Sequence, residues 1–326
     1  MLIDLHLDTL AQLAPGDDLS AGVPRLHVDL PRLARADVRA AVWAICTADR
    51  LAGPAGTALA LQMLARAQAV LVHETDRLQL VRNQADLERC LDGHRLGMIL
   101  GLEGAHALLG EIALLDAFHA LGVRVLTLCW NSDTPFASGC RPAGGNDGGL
   151  RPAGRALLRR SAELSLICDL AHASPRTLQD ALGVVPRPFL VSHTACAALR
   201  AHPRNLTDGQ LREVAAAGGL VGITFCPGFL SDPPQAASLE TVCDHIQHAL
   251  EMAGEEAVAL GSDFDGVTAL PQGIEGAQAW PRLLETMRRR GWNGETIAAV
   301  AGGNAARVLR RGLPAAGGEV GARAGS

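Results

Sequence analysis

The first residues that could do chemistry stand in the opening run LIDLHLD, where His6 and Asp8 sit two apart at the end of an apolar stretch. On a strand, side chains alternate faces, so this imidazole and carboxylate point the same way while Leu7 points the other. Such a pair is a two-ligand claw for a divalent ion. The same residue types close other apolar runs: Glu103 ends LGMILGLE, His172 ends LSLICDLAH, His193 lies in PFLVSHT and Asp263 in AVALGSDFDG. Two imidazoles and a carboxylate from other strands would complete a site for zinc or a similar ion. A carboxylate shared between two ions would hold them a few ångströms apart.

Missing residue types narrow the chemistry further. All 29 basic residues are arginine, and there is no tyrosine. A lysine Schiff base, a phosphate-loop lysine, a carbamylated lysine and a tyrosine acid are thereby excluded, which makes Glu103 the natural bridging candidate. Ser192-His193 is not expected to act as nucleophile and base, because strand neighbours face opposite ways and cannot hydrogen-bond as a dyad. The eight cysteines (Cys46, Cys90, Cys129, Cys140, Cys168, Cys196, Cys226, Cys243) show no CxxC pair and read as free thiols. Cys129 and Cys168, on apolar strands, are expected to be inert. His245 and His248 precede the last strand and read as structural or exposed; His106, three residues after Glu103, could support the ligands from behind.

The elements that must position these residues follow from the apolar pattern. Eight short runs, LIDLHLD, VRAAVWAICT, LGMILGLEG, VRVLTLC, LSLICDLAH, PFLVSHT, LVGITF and AVALGSDFDG, alternate with segments of helical spacing. Eight strands alternating with helices predict an α/β fold, a (β/α)8 TIM barrel, whose strand ends converge on one mouth. The chain of 326 residues, 48% apolar, is read as one catalytic barrel domain over 1–311 and a disordered tail over 312–326. A net charge of -5 with dispersed arginines excludes a nucleic-acid footprint. No stretch reads as long and apolar enough to span a bilayer and the start shows no secretory signal, so the expectation is a cytoplasmic protein with no membrane partner. The glycine-rich PAGGNDGG reads as a loop after the fourth strand rather than a phosphate cradle.

Over nearly its whole length the sequence resembles the membrane (renal) dipeptidases, peptidase family M19 of the amidohydrolase superfamily. The matching blocks are HLD at the start, HVDLPRL, GLEGAHAL, LTLCWNSDTPFASG, ICDLAHAS, LVSHT, HPRNLTD, ALGSDFDG and GGNAARVL. The resemblance implies a binuclear zinc centre, with His6, Asp8 and Glu103 on one ion and Glu103, His172 and His193 on the other; manganese, cobalt or iron could replace zinc. It implies that Asp263 is the catalytic acid and base beside a metal-bridging hydroxide, and that Arg204 pairs with the substrate carboxylate. Where many members carry a histidine after the fourth strand, this chain has Trp130; that residue and Asn131 are expected on the substrate side. The implied activity is hydrolysis of small dipeptides, including those with a D-residue at the C-terminal position, by a protein that forms homodimers. Two other readings of the same residues are a hydrolase acting on a lactone, β-lactam or N-acyl amino acid, and a non-catalytic barrel that binds metal or ligand.

Overall fold

The computed structural model describes residues 1–47 and 53–316. Nine strands form among them: β1 (Leu2–Leu7), β2 (Val38–Cys46), β3 (Leu78–Leu80), β4 (Leu96–Glu103), β5 (Val123–Thr127), β6 (Ile167–Asp169), β7 (Phe189–Thr194), β8 (Gly219–Ile223) and β9 (Val258–Leu260). Eight pair in parallel in the order β1-β2-β4-β5-β6-β7-β8-β9. The Leu7–Phe264 bridge joins last to first, with the Asp263 amide on the His6 carbonyl at 3.1 Å and the Asp8 amide on the Phe264 carbonyl at 2.8 Å. The result is a (β/α)8 barrel whose staves are the eight expected runs. The extra strand, β3, pairs only with β4; at three residues it is too short to show a period in the sequence.

The strands are apolar because both faces are covered: every residue of β1, β5, β7 and β8 is buried. Helix starts are fixed by side-chain caps, Ser174 on Pro175–Leu182, Thr207 on Asp208–Ala216 and Ser238 on Leu239–Ala253, each contributing about 1 kcal/mol. Two irregularities matter for what the barrel carries. From Asp4 to Leu7 β1 advances three residues while β2 advances two, from Ala41 to Trp43, and from Val191 to Thr194 β7 does the same against β8. Each is a one-residue bulge. The first falls at His6, the second at Ser192 and His193.

Two expectations are corrected here. The helix Pro54–His73, with 20 residues and a hydropathy of 1.3, has the length and composition of a bilayer span. In this fold it lies on the barrel through Ala60, Met63, Leu64 and Ala67. The chain also stays packed beyond residue 311: Gly312 closes the helix Asn304–Gly312, Leu313 is buried, and the Gln84 amide bonds the Pro314 carbonyl. The rest of the expected tail, from 317 on, lies outside the described residues.

Candidate metal centre and active site

The six predicted acids and imidazoles converge at the C-terminal mouth of the barrel. Glu103, at the end of β4, divides its two oxygens between two groups. Oε2 faces His6 Nε2 at 3.6 Å, while Oε1 faces His172 Nε2 at 3.0 Å and His193 Nε2 at 3.6 Å. His6 Nε2 lies 3.3 Å from Asp8 Oδ2, so the claw read from LIDLHLD does close. Ligand atoms of His6, Asp8 and Asp263 all fall within 4.8 Å of one another, as do those of His6, Glu103 and His193.

His172 and Asp263 sit past the ends of β6 and β9, in loops where their backbones take φ of 66° and 63°. Non-glycine residues rarely adopt this conformation, at a cost of about 1–3 kcal/mol each, and hold it only where the surroundings over-determine it. For Asp263 the constraint is visible. Ser262 donates its amide and hydroxyl to the buried Asp4 carboxylate at 2.8 and 2.5 Å. Phe264 anchors the far side, edge-on to Phe225 at 5.5 Å and Trp280 at 5.8 Å. Gly266 must lack a side chain, because a Cβ there would run into both Asp8 and Asp263.

Burial and charge divide the cluster electrostatically. Burial pushes His172 and His193 well below the ordinary histidine range, and the positive charge of Arg204 and His6 adds to it, so both rings are neutral and free to be ligands. Burial opposes charge on His6 as well, but Glu103, Asp8 and Asp263 outweigh it and hold the ring up at about 10. Glu103 is raised to about 7 by burial, with His6 opposing and Asp8 reinforcing. Asp263 is raised well above the carboxylate range, by burial and then by Asp8.

This donor set fits divalent cations. Three carboxylates crowd around one imidazole in a buried site, and among the described residues Glu103 Oε2 meets no hydrogen-bond donor within bonding geometry. Asn131 Oδ1 lies 3.1 Å from His172 Nδ1; an amide oxygen only accepts, so the ring proton is on Nδ1 and the Nε2 lone pair faces Glu103. Imidazole and carboxylate donors of this kind suit zinc and its neighbours in the first transition row.

A cavity of about 380 Å³ opens over the cluster, within the size range of small-molecule sites. Arg204 lines it, buried, with Nη2 on the His193 carbonyl at 3.0 Å, its guanidinium 5.4 Å from the Phe229 ring and, among the described residues, no hydrogen-bond partner for its Nε. Trp130 stacks on His172 at 5.5 Å and forms a wall with Asn131. A larger depression of about 600 Å³, at the opposite end of the barrel beside Arg39, Arg77 and Arg95, is also lined by Asp37, Asp76 and His94, but these form none of the ligand groups found among the described residues.

The serine-histidine expectation was wrong in its premise. Ser192 Oγ lies 2.8 Å from His193 Nδ1, because the bulge on β7 breaks the alternation that would have parted them. The nucleophile reading still fails, for another reason: the Ser192 hydroxyl is fully buried and donates to Asp169 at 2.6 Å. Sequence reading also passed over Asp169, Cys46 and Arg66. Cys46 ends β2 in register with Glu103, and Arg66 enters the cavity from the helix Pro54–His73. A signal for Asp169 existed, an acid inside the apolar run LSLICDLAH. His245 is buried between the Cys196 amide and the Leu230 carbonyl, each at 3.0 Å, and His248 lies 2.8 Å from Asp208, both away from the cluster. His106 lies 3.4 Å from Ser132 and does not line the cavity. Among the described residues the eight cysteines form no disulfide, and burial pushes Cys129 up and Cys168 up to about 12.

Comparison with known proteins identifies the family and the fold. The family model described as membrane dipeptidase (peptidase family M19) matches residues 1–315. An uncharacterized dipeptidase of Schizosaccharomyces pombe is 36% identical over 218 residues, 67% of this chain; the match spans 53% of that relative, about half its length. A solved metallopeptidase described as dipeptidase AC, of family M19, superposes with a TM-score of 0.86 at 29% identity, covering 96% of this chain and 99% of its own. A metallopeptidase from Rhodobacter sphaeroides, solved with a phosphinate mimic of the dipeptide L-Ala-D-Ala, gives a TM-score of 0.86 at 27% identity over 95% of this chain and 99% of its own.

Proposed function

Because the chain belongs to the membrane dipeptidase family, peptidase family M19, we propose that it is a binuclear zinc dipeptidase acting on small dipeptides. The observation that carries this reading is the division of Glu103, one oxygen toward His6 and the other toward His172 and His193. His6, Asp8 and Glu103 would hold one ion, and Glu103, His172 and His193 the second. Two divalent ions bound there supply polarisation of the scissile carbonyl and acidification of the attacking water.

The remaining work falls to the chain's own residues. Asp263, with an affinity for protons raised by burial and by Asp8, takes the proton of the attacking water and passes it to the leaving amine. Arg204, buried with an unpartnered Nε, receives the substrate's free carboxylate and so favours dipeptides over long peptides. Trp130 offers an apolar wall and an indole N–H but no positive charge, which sets the acyl side of the cavity apart from relatives with histidine there. The L-Ala-D-Ala mimic held by the Rhodobacter sphaeroides enzyme supports substrates with a D-residue at the C-terminal position. A hydrolysis panel of L,L- and L,D-dipeptides, lactones, β-lactams and N-acyl amino acids tests the reading. Dipeptides are expected to turn over fastest; a faster lactone or acyl amino acid would replace it with another hydrolase on the same centre.

A further inference from the structure

Behind His193 lies a buried chain of hydrogen bonds with a fixed direction. Asp169, 1% exposed at the end of β6, accepts four of them. Its Oδ1 takes the Ser192 and Ala171 amides, both at 2.9 Å, and its Oδ2 takes the Ser192 hydroxyl at 2.6 Å and the Thr127 hydroxyl at 3.1 Å. Ser192 has one hydroxyl proton, and Asp169 receives it. The contact of 2.8 Å between Ser192 Oγ and His193 Nδ1 can then be a hydrogen bond only if the ring donates.

We propose that Asp169 and Ser192 form a positioning relay that locks His193 as its Nδ1–H tautomer, so that Nε2 always presents a lone pair to the centre. The consequence reaches His172 as well. With its own Nδ1 proton held by Asn131, the Nε2 atoms of the two rings stand 2.9 Å apart with no proton between them. Two facing lone pairs repel each other in a metal-free protein, and a cation relieves that repulsion. The relay therefore keeps this half of the centre open to metal, and its oxygen acceptors hold ring orientation in the way metal-binding histidines need. Asp169 and Ser192 act through His193 and touch no reacting atom. The inference rests on the proposed zinc centre for its purpose, but the tautomer itself can be read without metal.

Asp169→Asn gives the sharpest test, because an amide placed there donates to Ser192 Oγ, turns the serine hydroxyl toward His193 Nδ1 and moves the ring proton to Nε2. Nitrogen-15 NMR of histidine-labelled, metal-free protein at neutral pH should report the Nδ1–H form of His193 in the wild type and the Nε2–H form in Asp169→Asn. Zinc titration should show one of the two sites lose about 10–100-fold in affinity in Ser192→Ala, with a larger loss in Asp169→Asn and the other site unchanged. Should Asp169→Asn not fold, the wild-type spectrum and Ser192→Ala still decide. A wild-type His193 in the Nε2–H form, or Ser192→Ala binding two zinc ions as tightly as wild type, overturns the relay. Wild-type protein that binds no zinc overturns the proposed centre instead and leaves the tautomer to be read on its own.

Discussion

Replacing Gly261 by alanine should damage the His193 half of the centre from behind, without touching any ligand. A Cβ at Gly261 would come within 2.9 Å of the Ser192 carbonyl carbon and closer still to its oxygen, and Gly222 faces the same carbonyl at the same 2.9 Å. Ordinary carbon–carbon contact begins at about 3.5–4.0 Å, so the carbonyl must retreat by at least about 0.6 Å. The obstacle is backbone and cannot rotate away. Ser192 holds Asp169 at 2.6 Å and His193 at 2.8 Å, and a shift of that size takes both bonds to the edge of useful geometry. Overpacking of this kind costs about 1–3 kcal/mol, which lowers Tm by about 2–4 °C for each kcal/mol in a large domain. Thermal unfolding of metal-free protein and zinc titration would be compared with Gly209→Ala, an exposed helical position where a Cβ meets nothing closer than 3.9 Å. Gly261→Ala should melt earlier and bind the second zinc more weakly, and the control should do neither. Wild-type Tm and zinc affinity in Gly261→Ala would show that the bulge on β7 does not position His193.

Asp263→Asn should keep its metal complement while kcat for a dipeptide falls about a hundred- to ten-thousandfold; unchanged kcat would remove Asp263 from the proton path. Arg204→Met should raise KM for dipeptides with a free carboxylate by about 10–100-fold, the worth of hydrogen bonds to a charged group, and leave their C-terminal amides unaffected; equal effects on both would refute the anchoring role. Thiol reactivity should follow burial and pH. Burial holds Cys168 at about 12 and the partly exposed Cys226 at about 11, so at pH 8 both are almost wholly protonated. Native-state alkylation of Cys226 should rise about tenfold per pH unit between pH 8 and 10 while Cys129 and Cys168 stay unlabelled, as read by mass spectrometry. Rapid labelling of Cys129 at pH 7 would contradict its sealed position.

The barrel and the six converging residues were legible because each strand is a short apolar run and the acids and imidazoles interrupt those runs at one end. Burial on both faces produces the first signal, and the chemistry at the mouth produces the second. What the period of two could not convey is a bulge. Ser192 and His193 look like neighbours on opposite faces until β7 gains a residue, and the glycines that make room, Gly222 and Gly261, lie on and after other strands. Asp169 showed as an acid inside an apolar run, but its role was hidden for a related reason, since its four hydrogen bonds come from three residues on β5, in the loop after β6 and on β7. Cys46 and Arg66 reach the cavity only through the β2–β4 register and the seating of the helix Pro54–His73 on the barrel. Local sequence reports neither. That same helix, nearly free of charge, carries the composition of a bilayer span while serving as one stave cover.

The most direct test of the central claim is dipeptide hydrolysis followed as zinc is returned, in measured equivalents, to protein stripped of metal. The account predicts no turnover without metal, two zinc ions per chain at saturation and activity that reaches its full value only with the second equivalent. Full turnover by metal-free protein, or no hydrolysis of any dipeptide with both ions bound, would contradict it.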